Sequence, residues 1–269
     1  QDRHTIEEWI MPNGSWTFAA VLDGHGGSEA AEFVVNELPQ RLKDLLATEL
    51  NQSPQFHLDD TAIARLLTKA ITEVDSRIAD DFRLLLPENF GQIAAGDVVS
   101  DLKDPASVDG SPRIEVLRAL SGTTISIALI DPSKAIHVAN VGDCDVFLCT
   151  NTHDGWQSTM LGSNHNCKNP TEVARIRAEH PNEEHCVVTN EAGITRVLRC
   201  LNLSRGKPLL HQLQPDVELD PSNRSANFQH SITPPYISNV PDIKHVHPST
   251  SPSERKYLFL SSDGLVDMF

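Results

Sequence analysis

Three apolar runs in this chain each deliver an aspartate beside a glycine. Thr17-Phe18-Ala19-Ala20-Val21-Leu22 leads into Asp23-Gly24-His25-Gly26-Gly27, and His137-Val138-Ala139-Asn140-Val141 into Gly142-Asp143. Tyr257-Leu258-Phe259-Leu260-Ser261-Ser262 leads into Asp263-Gly264. Short apolar runs bounded by glycine read as buried strands. A carboxylate at the tip of such a strand is held by the sheet yet faces outward. Three strands bringing one carboxylate each would assemble hard oxygen ligands for Mg²⁺ or Mn²⁺. Without cations those carboxylates repel one another, which makes the cluster costly. The pattern predicts a metal-assisted hydrolase.

Asp23-Gly24-His25-Gly26-Gly27 carries the most chemistry. Its glycines permit close backbone approach, and the stretch after Gly27 becomes helical, so helix amides and dipole favour an anion such as phosphate there. Asp23 can bridge two cations, the Gly24 carbonyl is a further oxygen ligand, and His25 can act as a general acid. A tight turn with a solvated histidine is the plainer reading of the motif alone. The two other strand-end aspartates weigh against it.

The elements that must position these residues follow from periodicity. Residues 3–11 and 16–22 form two strands joined by the hairpin signal Pro12-Asn13-Gly14. Ser28 is placed to cap a helix whose apolar face runs through Ala31, Val34, Val35, Leu38, Leu42, Leu45, Leu46 and Leu50. Pro39 should kink that helix or start a second one. A further helix is expected from about Asp60 to Leu86, on the spacing of Ile63, Leu66, Leu67, Ala70, Ile71, Val74, Ile78 and Phe82. Thr123–Ile130, Ala135–Val141, Val146–Cys149 and Gln157–Leu161 read as a β-meander. Asn169 caps a short helix with Pro170 at its first position, Glu172 set to cap in return, and Pro181 ending it. Residues 87–113 and 204–255 are rich in Gly, Pro, Ser, Asn, Asp and His and read as loop insertions.

Composition narrows the partners. A net charge of −15 over 269 residues argues against nucleic acid or anionic lipid as an unaided partner. No segment reaches the apolar length of a membrane span, and no signal or transit peptide is visible. The chain opens with Gln1 rather than Met, so an upstream piece is expected. Five cysteines (144, 149, 167, 186 and 200) without a C-x-x-C pair read as reduced thiols of an intracellular protein. His165, Cys167, His185 and Cys186 lack finger-like zinc spacing. His245 and His247 alternate in a polar loop, and without ligands close by they are expected to have no metal role. Trp9, Trp16 and Trp156 read as core or sheet-face residues.

Asp23-Gly-His-Gly-Gly, then Ser121-Gly-Thr-Thr, Val138-Ala-Asn-Val-Gly-Asp143 and Ser262-Asp-Gly-Leu stand in the order seen in metal-dependent protein serine/threonine phosphatases, the PPM or type 2C family. The chain resembles that family over nearly its whole length. Its likeness is nearest to the pyruvate dehydrogenase phosphatase branch, through Asn164-His165-Asn166, Ile194–Arg205 and Thr233-Pro-Pro-Tyr-Ile-Ser with Pro241-Asp-Ile after it. The resemblance implies an α+β fold, a four-layer α-β-β-α sandwich of two antiparallel sheets flanked by helices. It implies one such domain over residues 1–269, incomplete at both ends, with a binuclear Mn²⁺/Mg²⁺ centre at one end of the sandwich. Asp2 matches an acid of the first motif, Asp23 the bridging ligand, Gly24 the carbonyl ligand and His25 the leaving-group acid. Asp263 matches a ligand from the last strands, and Asp143 and Asp267 match acids linked to a weaker third cation. The implied reaction is hydrolysis of phosphoserine or phosphothreonine on a protein by a metal-activated water. The implied substrate is the E1 subunit of pyruvate dehydrogenase, in the mitochondrial matrix.

Departures from the family pattern define the rival reading. Gln1 stands where the first motif usually has Glu. Leu203-Ser204-Arg205 is followed by Gly206-Lys207-Pro208, where the family continues with a small residue and then Gly-Asp. The chain also stops at Phe269, before the family's terminal Asp-Asn motif. A missing hard ligand weakens such a site. The alternative is therefore a phosphatase-like binding or regulatory module with impaired catalysis.

Overall fold

The computed structural model describes residues 1–86, 110–183, 186–189, 195–197, 238–248 and 255–266. They divide into two compact units, one of residues 1–77, 121–164 and 239–269, the other of residues 78–120 and 165–238. All the chemistry considered below lies in the first.

That unit opens with strands β1 (Arg3–Met11) and β2 (Gly14–His25), paired antiparallel from Arg3↔Leu22 to Met11↔Gly14. Alternate residues of β2 (Trp16, Phe18, Ala20, Leu22 and Gly24) are buried, as a strand covered on one face requires. Trp9 stacks on Phe18 with ring centroids 5.0 Å apart, so both ring systems fill one layer of core. Strand β2 then pairs with β3 (Gly122–Ile130), and β3 with β4 (Ile136–Val141).

Here the expected meander breaks. Strands β5 (Asp145–Thr152) and β6 (Gly155–Met160) pair with each other but not with β4. The chain leaves the first sheet at Gly142-Asp143-Cys144 and enters a second one. Two later segments complete the sheets, β9 (Asp242–Val246) beside β4 and β10 (Lys256–Ser261) beside β5. The orders are β1-β2-β3-β4-β9 and β10-β5-β6, antiparallel throughout. Strand β9 falls within residues 204–255, read above as a loop insertion. Its short run alternates too few apolar residues to signal a strand, and only pairing with β4 defines it.

Val138, Val146, Leu148 and Leu161 form an apolar cluster joining the sheets, with Ile136, Val246, Leu258 and Leu260 against it. Helix α1 (Glu29–Gln52) packs on β1, β2 and β3. Leu38, Leu42, Leu46 and Leu50 hold its buried stripe on both sides of Pro39, and the helix runs on through that proline with no second helix starting there. Packing of the stripe offsets the hydrogen bond that Pro39 cannot make. Helix α2 (Asp60–Arg83) begins with the Ala62 amide donating to the Asp59 carboxylate at 2.7 Å. Arg41 of α1 reaches Glu73 of α2 at 2.6 Å. Two antiparallel sheets with flanking helices are the α+β sandwich that the resemblance implied.

In the second unit, helix α3 (Ile114–Leu120) follows the stretch read as an insertion. Helix α4 (Pro170–Glu179) has the Asn169 side chain accepting from the Thr171 amide at 3.0 Å, as expected. Glu172 does not cap in return, because both its oxygens are taken by Arg175. Ile176, Cys186 and Val187 pack together ahead of a two-stranded ribbon of β7 (Val187–Thr189) and β8 (Thr195–Val197).

Candidate functional site

Strand β2 does not end at Leu22. It continues as Asp23↔Thr124, Gly24↔Thr123 and His25↔Gly122, because β3 offers partners that far. Asp23 is thus held within the sheet on a rigid strand rather than in a turn. The Thr123 hydroxyl donates to the Asp23 backbone carbonyl at 3.0 Å and fixes the strand there. Gly24 is required by crowding, since a Cβ on it would lie 2.7 Å from the Gln1 carbonyl oxygen. That close approach brings Asp2 beside the end of β2.

His25 sits against Gly122 of the neighbouring strand. A Cβ at position 122 would run into the His25 imidazole, so the Ser121-Gly-Thr-Thr motif supplies an open seat for the ring. The serine of that motif has a second task. Its hydroxyl accepts from the Ala30 amide at 3.0 Å, whereas Ser28, the expected cap of α1, makes no side-chain cap bond. The orphan amide of the first turn is met by the residue just ahead of β3.

The other two aspartates arrive from different sheets. Asp143 lies in the crossing from β4 to β5, where Gly142 adopts φ +101° and a Cβ would strike the Thr124 side chain. Asp263 opens the short helix α5 (Asp263–Val266) directly after β10. The Ser262 hydroxyl donates to Asp2 Oδ2 at 2.8 Å, tying the start of the chain to the end of β10.

Electrostatics show how tightly these groups converge. Burial, a hydrogen bond with Asp263, and the charges of Asp2, Asp263 and Asp143 push the Asp23 carboxyl up to about 7. A proton shared between the two carboxyls, or a cation, would relieve that repulsion. Asp2, Asp23, Asp143 and Asp263 therefore share one site, with Gly24 and His25 adjoining it. Asp267 lies outside the described residues.

Sequence reasoning missed a fifth acid. Asp145, at the start of β5, is 5% exposed, and its Oδ1 has no hydrogen-bond partner. Burial pushes its carboxyl upward; a hydrogen bond from Asn164 opposes this, while the charges of Asp143 and Asp263 add to it. Its spacing of two from Asp143 was the available signal. Between them, burial drives the Cys144 thiol up to about 12, with the Thr124 hydroxyl 3.0 Å from its sulfur. Cys144 is thus inert as a nucleophile, and Cys144, Cys149 and Cys186 are free thiols.

Carboxylates gathered from both sheets and crowded enough to push Asp23 upward suit hard divalent cations such as Mg²⁺ or Mn²⁺. A two-sheet sandwich carrying an all-oxygen cluster at its strand ends is a frame for divalent-cation chemistry. Comparison with known proteins gives the family. The Protein phosphatase 2C family model matches residues 1–269, and the chain belongs to that family. A protein phosphatase 2C homologue of Schizosaccharomyces pombe is 27% identical over 261 residues, covering 96% of this chain and 54% of its own length. The human mitochondrial [pyruvate dehydrogenase [acetyl-transferring]]-phosphatase 2 is 24% identical over 307 residues, covering 100% and 56%. The chain thus spans about half the length of these curated relatives. The crystal structure of serine-threonine phosphatase 2C from Toxoplasma gondii shares the fold, with a TM-score of 0.61 at 16% identity, over 100% of this chain and 74% of that one.

Proposed function

We propose that this chain is the catalytic part of a Mn²⁺- or Mg²⁺-dependent protein serine/threonine phosphatase. The observation that carries the reading is the convergence of Asp2, Asp143 and Asp263 on Asp23, whose carboxyl is pushed up to about 7. Asp23, Asp263, Asp2 and Asp143 would hold the cations, with the Gly24 carbonyl and the family's acid at Asp267 as further oxygen donors. Bound there, two ions and a weaker third would offset charge on the phosphoryl oxygens and activate a water for in-line attack. His25, seated on Gly122, would hand its proton to the leaving serine or threonine oxygen. Asp145 adds negative charge beside Asp143 and Asp263 and deepens the demand for cations.

The substrate would be a phosphoprotein. The pyruvate dehydrogenase phosphatases among the relatives make the phosphorylated E1 subunit, in the mitochondrial matrix, the first one to test. Among the described residues no helix is long and apolar enough to cross a membrane. Turnover of a phosphoserine peptide by the parent protein, with and without Mn²⁺, tests the reading. Turnover that is absent, or the same in both conditions, would overturn it. Gly206-Lys207-Pro208 in place of the family's Gly-Asp favours a second reading, a phosphatase-like regulatory module. Calorimetry separates the two, since such a module folds yet binds Mn²⁺ weakly or not at all.

A further inference from the structure

His245 and His247 do have ligands near them. Strand β9 pairs with β4 so that His245 lies directly opposite His137, and the two side chains leave the same face of the sheet. Asp60, the first residue of α2, meets them there. His137 Nδ1 and His245 Nδ1 are 2.7 Å apart, and Asp60 Oδ1 is 3.8 Å from each. The other Asp60 oxygen lies 2.9 Å from His247 Nε2. These donors come from residues 60, 137 and 245, too far apart in sequence for any spacing rule.

We propose that Asp60, His137 and His245 form a binding site for a divalent transition metal of the zinc type, separate from the acidic centre. A tetrahedral ion with bonds of about 2.0–2.1 Å sets its ligands about 3.3 Å apart. The observed spacings of 2.7 and 3.8 Å bracket that value. Two imidazoles and one carboxylate suit zinc, nickel or copper better than magnesium.

Two further contacts fit the assignment. His137 is 1% exposed, and its Nε2, on the far side of the ring from Asp60, is buried without a hydrogen-bond partner. The Asp131 carboxylate stands behind it, with Oδ2 at 3.6 Å. A carboxylate behind a histidine is the arrangement that fixes the tautomer and turns the opposite nitrogen toward a metal. His247 is 64% exposed and steadies the Asp60 carboxylate from the solvent side. The ion would pin β9, an edge of the five-stranded sheet, to the start of α2. His137 and the last residue of β4, Val141, are about 13 Å apart along the strand, which keeps the site clear of Asp143.

The test is Zn²⁺ titration of the chelator-stripped parent protein against a chromophoric chelator. Co²⁺ spectra report the geometry, and thermal unfolding reports linkage. Wild type and Asp23→Asn/Asp263→Asn should each bind one equivalent at this site, give a tetrahedral Co²⁺ spectrum, and unfold at higher temperature with Zn²⁺. Asp60→Asn and His245→Ala should lose that equivalent, and Asp131→Asn should weaken it about 10–100-fold. Circular dichroism of the stripped variants checks folding. Should His245→Ala fail to fold, Asp60→Asn with His247→Gln serves instead, as both side chains are partly solvent-exposed. Zinc binding that survives the ligand substitutions, or that disappears in Asp23→Asn/Asp263→Asn, would overturn the proposal, as would no binding at all.

Discussion

The two ends of β4 hold polar clusters built on opposite principles. Beyond Val141, acids from both sheets crowd around Asp23, and every side-chain donor is oxygen. Toward His137, two neutral-capable rings and one carboxylate meet, with nitrogen donors in the majority. The first cluster is electrostatically unstable without cations, so its protein frame must be stiff. Strand pairing through His25↔Gly122 and the Ser262–Asp2 contact supply that stiffness. The second cluster carries little repulsion and persists as a hydrogen-bonded group. If both proposals hold, one strand would serve hard and borderline cations at once, with ligand type and distance keeping the sites apart.

The sharpest way to break this comparison is to remove the acid at the centre of the first cluster. Asp23→Asn and Asp263→Asn should each lower kcat/KM on a phosphoserine peptide by on the order of 10³-fold, since the charge that gathers cations is lost. The fold should survive, because either change relieves repulsion; circular dichroism of the metal-free protein checks this. Next in size is His25→Ala, expected to cost about 10²-fold on that peptide, the lower end for general acid catalysis. The loss should be much smaller on p-nitrophenyl phosphate, whose leaving group needs no proton. Equal losses on both substrates would remove the acid role. Gly122→Ala displaces the ring without deleting it and should cost up to about 10²-fold.

The acidic end was legible in the sequence and the nitrogen-rich end was not, for a physical reason. Asp23, Asp143 and Asp263 each follow an apolar strand and touch a glycine, so a local pattern marks each one. Asp60, His137 and His245 carry no local mark, because strand pairing and a helix start bring them together. The same distinction runs through the fold. The hairpin, α2 and the Asn169 cap follow from local periodicity and capping chemistry. The β4-to-β5 change of sheet, strand β9, and the Ser121 cap of α1 depend on partners remote in sequence. Asp145 was missed because one buried carboxylate on a strand reads as a surface residue until its neighbours are known.

The two clusters should also answer pH with opposite signs in the metal-free protein. Asp23 stands at about 7 in the fold and about 3.9 in the unfolded chain. Between those values the folded state holds a proton that the unfolded state has lost, so stability falls as pH rises from about 4 to 7. His137 behaves inversely. Burial lowers it from the ordinary histidine value, the Asp131 charge opposes that, and the His245 charge adds to it. Below about 6.5 the unfolded chain takes up a proton that the folded ring resists, so stability falls as pH drops. Unfolding midpoints across this range should flatten on the upper side in Asp23→Asn, or with Mn²⁺ bound. A slope on that side unchanged by either would contradict the crowding at Asp23.

The smallest effect concerns how the acidic end is braced. Ser121 and Ser28 both stand at the start of α1, but only Ser121 accepts a first-turn amide, that of Ala30. Ser121→Ala should cost about 0.5–2 kcal/mol, the usual loss for an N-terminal cap. Ser28→Ala should stay within a few tenths, as no side-chain cap bond is lost. Because the Ser121 bond ties α1 to the residue just ahead of β3, beside the His25 seat, Ser121→Ala should also lower phosphatase turnover modestly. Ser28→Ala should leave turnover unchanged. Urea midpoints at constant m-value measure the first difference. If both serines cost the same, the helix is capped locally after all, and the acidic end relies on strand pairing alone.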